Sequence, residues 1–71
     1  MAKSKPTYNR IKAVLAEQNK TNLWLAETLG MNKTTVSKWC TNEVQPSMES
    51  LFNIAKALDV DVRELIVSTK S

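Results

Sequence analysis

Apolar residues recur along this chain at three- and four-residue intervals, in stretches bounded by residues suited to starting or stopping a helix. Ile11, Val14 and Leu15, joined by Tyr8, predict a first helix from Tyr8 to Gln18 capped by Thr7, with Asn19-Lys20 as the corner. Leu25, Ala26 and Leu29 predict a second helix, capped by Thr21, that stops at the turn Gly30-Met31. A third opens at Asn32 and runs from Lys33 to Cys40, followed by a polar loop from Thr41 to Gln45 closed by Pro46. Leu51, Ile54, Ala55 and Leu58 mark a fourth helix capped by Ser47, and Asp61 with Glu64 has the spacing of a capping box for a short fifth helix to about Val67. No strand-like alternation, internal repeat or low-complexity tract interrupts this order. The pattern predicts an all-α protein: a compact five-helix bundle over residues 7–67, with a flexible basic arm at 1–6 and a frayed tail at 68–71.

The stretch from Thr21 to Asn42 is the most informative. At about 100° per residue, Lys33, Thr34, Ser37, Lys38 and Thr41 fall within an arc of roughly 140°, while Val36 and Trp39 point the opposite way. One side of the third helix is therefore built to pack. The other offers solvent only cations and short hydrogen-bonding groups, which suit base-pair edges and flanking phosphates in a DNA major groove. An ordinary solvated helix face is the plain alternative.

Composition narrows the field. Seventy-one residues make one domain, near the lower limit for a core without metal or disulfide support. An apolar content of 42% is enough for a compact bundle and too high for a disordered chain. One cysteine and no histidine leave no internal disulfide and none of the usual metal sets, so neither metal nor cofactor is expected. Neither a membrane-spanning run nor a secretory signal is legible, and a reducing cytoplasm is the expected compartment. Residues 1–40 hold seven Lys/Arg against two Glu, +5, whereas residues 41–71 hold three against five Asp/Glu, −2. The positive half contains the cationic helix, as binding to a polyanion requires.

The residues carrying this pattern are similar to a known family. Leu25, Ala26, Leu29, Gly30 and Val36 stand where a helix-turn-helix has them, and agreement continues through Pro46, Leu51 to Leu58 and Val60 to Leu65. From about Arg10 to Ile66 the chain resembles the phage repressor and Cro-type (XRE-like, Cro/C1-type) DNA-binding domains. That resemblance implies a lambda-repressor-like fold with the helix-turn-helix as helices 2 and 3, and a bacterial or phage transcriptional regulator acting at an operator. It places Lys33, Thr34, Ser37 and Lys38 at base edges. Thr21, Asn22, Asn32, Thr35, Thr41, Asn42, Gln45 and Arg10 are expected at phosphates or flanking positions. Asn22 stands where members often carry Gln, Asn42 where Gly is common, and Gln45 where a basic residue is frequent. Lys3, Lys5, Lys12 and Lys20 add charge if they face the duplex. Leu15 and Cys40 stand where many members pair an Arg with a Glu across the core. Replacing both partners with apolar groups strands no charge, so Cys40 is expected to pack near Leu15.

Two features exceed what the fold needs. Leu23 and Trp24 sit where the family is generally polar, so Trp24 either covers the first helix or the N-terminal arm or forms, with Leu23, a patch for a protein partner. Val62, Ile66 and Val67 exceed one core-facing side of a helix and suggest a homodimer seam. The alternative function on the same fold is an antitoxin or a restriction–modification controller with a protein-partner surface. A module that binds only proteins is a further class. An enzyme is the least expected class: there is no histidine, no paired carboxylates in a plausible cleft, no glycine-rich phosphate loop and one glycine in all.

Overall fold

A computed structural model describes residues 7–68. Four α-helices follow one another: α1 (Ile11–Glu17), α2 (Asn22–Leu29), α3 (Lys33–Cys40) and α4 (Met48–Leu58). A 3₁₀ turn, Val62–Leu65, closes the order. The arm expected at 1–6 and the tail expected at 68–71, Ser68 apart, lie outside the described residues. Among the described residues, no helix is long and apolar enough to cross a membrane.

The side chains expected to start α2, α3 and α4 do so. Thr21 Oγ accepts from the Trp24 N–H at 3.0 Å, Asn32 Oδ1 from Thr34 at 2.7 Å, and Ser47 Oγ from Ser50 at 3.1 Å. All four helices end alike, with a left-handed residue at Asn19, Gly30, Asn42 and Asp59. Each terminal carbonyl row is closed by the paired hydrogen bonds of a Schellman turn, such as Met31 N–H to Ala26 O and Gly30 N–H to Glu27 O. Only asparagine, aspartate and glycine occupy these positions, as left-handed backbone favours.

Two expectations are corrected at the ends. The first helix does not begin at Tyr8 under a Thr7 cap: it begins at Ile11, and Asn9 Oδ1 accepts from the Ile11 N–H at 3.1 Å. The fifth element is no helix to Val67. Asp61 Oδ1 bonds the Arg63 N–H, not that of Glu64, so the expected capping box gives way to a turn. Beyond Leu65 the backbone extends, and Ile66 forms an antiparallel bridge with Asn9. Arg10 N–H donates to Leu65 O at 2.8 Å and Val67 N–H to Tyr8 O at 2.9 Å. Recruitment of both chain ends into this pairing shortens α1 and truncates the fifth element.

The core joins every element. Ile11, Val14 and Leu15 of α1, Leu25 and Ala26 of α2, Val36, Trp39 and Cys40 of α3, Ile54, Ala55 and Leu58 of α4, and Leu65 form one buried cluster. Cys40 and Leu15 share it, and both are apolar packing partners of their helices. Gln18 ties the ends of two helices together, donating from Nε2 to Leu58 O at 2.8 Å.

Candidate nucleic-acid interface

The apolar side of α3 fixes the orientation of its polar side. Val36 is fully buried and Trp39 and Cys40 nearly so, against Leu25 and Ala26 of α2 and the body of the core. Rotation of α3 about its axis would expose Val36 and Trp39, at about 25 cal/mol per Å² of apolar surface. Consequently Lys33, Thr34 and Lys38 are exposed, and Ser37, within the same arc, and Thr35, at its flank, are half-buried. Gly30, with φ of 67°, makes the bend between α2 and α3, and Asn32 starts the second of them.

The N-terminus of α2 meets the last residue of α3. Cys40 Sγ donates to Asn22 Oδ1 at 3.3 Å across the two helices, which turns the Asn22 amide so that its oxygen faces Cys40. Burial pushes the Cys40 thiol above its ordinary pKa, with Lys12 opposing. A neutral thiol is thus the donor expected at neutral pH. Just before α2, Lys20 Nζ stands 4.5 Å from the centroid of the half-buried Trp24 ring, a cation–π contact. Trp24 also packs on the core, while Leu23 stays 47% exposed.

Several residues expected at flanking phosphates have internal partners, Arg10, Thr41, Asn42 and Gln45 among them. Asn42 Oδ1 accepts from the N–H groups of Tyr8 at 2.9 Å and Asn9 at 3.0 Å, and Asn42 Nδ2 donates to Asn9 O at 3.3 Å. Gln45 Oε1 accepts from Asn9 Nδ2 at 2.8 Å, and its Nε2 donates back to Asn42. Arg10 donates to Glu64 O at 2.9 Å and lies 3.5 Å from Glu17. Thr41 Oγ is shared between Lys38 O and the Glu43 carboxylate. Thr21, Asn32 and Thr41 remain exposed.

Sequence reasoning overlooked Asn9. Its side chain is the buried polar group of the described core, 5% exposed, and reaches Trp39 O at 3.0 Å, joining the chain entering α1 to the last turn of α3. An asparagine two residues before the apolar stripe of α1 was the available signal. Val62, Ile66 and Val67 do not share a helical face. Val62 packs against the core from the 3₁₀ turn, while Ile66 and Val67 lie on extended backbone with Ile66 42% exposed.

Comparison with known proteins agrees with this geometry. A family model described as helix-turn-helix matches residues 11–65. Over 60 residues the chain is 38% identical to the cryptic phage CTXphi transcriptional repressor RstR of Vibrio cholerae serotype O1, covering 79% of this chain and 54% of the repressor. The chain thus spans about half the length of the curated relative it matches. A crystal structure of a candidate DNA-binding protein from Bacteroides fragilis superposes with a TM-score of 0.81 at 52% identity, covering 83% of this chain and 95% of that one.

Proposed function

Since this chain belongs to the Cro/C1-type helix-turn-helix family, we propose that it is a sequence-specific double-stranded DNA-binding protein that regulates transcription from an operator. The observation carrying this reading is the two-sided α3: core on Val36, Trp39 and Cys40, solvent on Lys33, Thr34 and Lys38. α3 enters the major groove with Lys33, Thr34, Ser37 and Lys38 toward base edges. Lysine donates to guanine O6 or N7, and threonine and serine adapt to donors or acceptors. Thr21, Asn22, Asn32, Thr35 and Thr41 meet phosphates around it, with the Nδ2 of Asn22 at the start of α2 as a donor. Arg10, Asn42 and Gln45 belong instead to the scaffold, because their polar groups bond residues in distant parts of the chain, whereas the Thr41 hydroxyl bonds residues two and three positions away.

Mechanistically, occupancy of an operator blocks or recruits polymerase, in the cytoplasm of a bacterium or phage host. A two-fold pair of chains reads half-sites about 10 bp apart. Ile66 is the exposed residue of the seam expected for such a pair, and Leu23 is the exposed residue at the expected protein-partner surface. Selection of bound duplexes from a random pool tests the reading. It predicts enrichment of a defined, inverted-repeat site; recovery of unselected sequence at low salt, or of no duplex at all, contradicts it.

A further inference from the structure

At about 100° per residue, Cys40 falls roughly 20° beyond the Lys33 edge of the polar arc of α3. It stands at the border between the packed side and the DNA-facing side, yet it is only 5% exposed. Asn22, the first residue of α2, meets it there: the thiol donates to Asn22 Oδ1 at 3.3 Å. A primary amide carries an acceptor at one end and two donors at the other. Its terminal torsion is soft and roughly two-fold, so the two ends exchange places unless a neighbour distinguishes them. The thiol makes that distinction. A protonated sulfur is a donor and only a weak acceptor, so it favours the oxygen end. Burial keeps the proton in place by pushing the Cys40 thiol above its ordinary pKa. With Oδ1 turned to the buried sulfur, Nδ2 is turned the other way, on a residue that is itself half-buried.

Resting on the DNA-binding reading above, we propose that Cys40 is a positioning residue for Asn22: its S–H holds the amide oxygen, so that Nδ2 is presented as a donor to a phosphate at the border of the α3 face. Cys40 itself reaches no DNA. Neither side chain is charged, so the contact adds a directed hydrogen bond and releases no counterion of its own.

Three substitutions separate the donor from the packing. Cys40→Ser keeps a donor in place and Cys40→Ala removes it. Cys40→Val removes it while filling the site, which supplies a second donorless chain should the alanine variant fail to fold. These full-length chains are compared with wild type, N22A and N22A/C40A, after thermal melting has shown which are folded at the assay temperature. Affinity for the selected duplex is measured across a salt series. Nuclear Overhauser contacts from the Asn22 Nδ2 protons to the β protons at position 40 are measured without DNA. C40A and C40V are expected to bind about three- to tenfold more weakly than wild type, with C40S within about twofold of it. The salt dependence stays that of the wild type, because no cation is lost. N22A/C40A binds no more weakly than N22A, since both changes act through one interaction. In the free protein the contacts from Nδ2 are weak in wild type and C40S and stronger in the donorless chains. The proposal is overturned by wild-type affinity in C40A or C40V, by C40S binding as weakly as they do, by losses that multiply fully in N22A/C40A, or by contacts that are the same in every chain. Failure of the wild type to bind any duplex overturns the DNA-binding reading, while the free-protein contacts separately report whether Cys40 orients Asn22.

Discussion

Asn9 and Asn42 carry the same side chain and have opposite histories in the sequence. Asn9 attracts no attention there, yet its amide bonds Trp39 O, Gln45 and the first N–H of α1 from a buried position. Asn9→Ala is expected to cost roughly 1–3 kcal/mol, because buried backbone groups lose their partners; denaturant unfolding measures it. Gly30 makes a different demand. A Cβ there meets nothing within 4 Å, so Gly30→Ala should lose about 1–2 kcal/mol from left-handed strain alone, and Gly30→Asn less, as thermal melting will show. Cys40 gives a pH effect whose sign follows from burial. The folded thiol holds its proton more tightly than the unfolded one, so its contribution is complete below the unfolded pKa and is lost as pH rises through the raised folded value. Stability measured from pH 8 to pH 10.5 should fall less steeply in Cys40→Ala than in the wild type. Left-handed positions and caps are readable because asparagine, glycine and serine meet local backbone needs. The partners of Asn42 lie 33 and 34 residues away, and no local signal separates such a fastening from a phosphate clamp.

Among the elements, α2, α3 and α4 follow their apolar spacing closely because capping side chain, stripe and stop residue agree within each. The two outer elements depart from expectation for a single reason. Pairing of Asn9 with Ile66 draws three residues away from the start of α1 and ends the 3₁₀ turn at Leu65, and a contact between opposite chain ends has no local trace. Val62, Ile66 and Val67 consequently lie on a 3₁₀ turn and the extended backbone after it, not along one helix. Packing between α1 and α3 is the element-level feature with a clear test. Leu15, 2% exposed, shares the core with Cys40, so Leu15→Arg places an unpaired charge there and should destabilise by about 3 kcal/mol or more. An unchanged melting temperature would refute that packing.

Across the molecule, the charge division of the sequence agrees with the architecture. The half carrying +5 contributes α1, α2 and α3, and the half carrying −2 contributes α4 and the 3₁₀ turn. Binding driven by the cationic half should weaken steeply with salt, since each neutralised phosphate releases a counterion. Two lysines on one exposed face distinguish that general attraction from reading of sequence. The direct test compares wild type with Lys33→Ala/Lys38→Ala on the selected duplex and on a scrambled duplex of the same composition. The account predicts that the ratio of the two affinities falls about tenfold or more in the double variant, at about 1–3 kcal/mol for each lost base contact. A ratio equal to that of the wild type contradicts it.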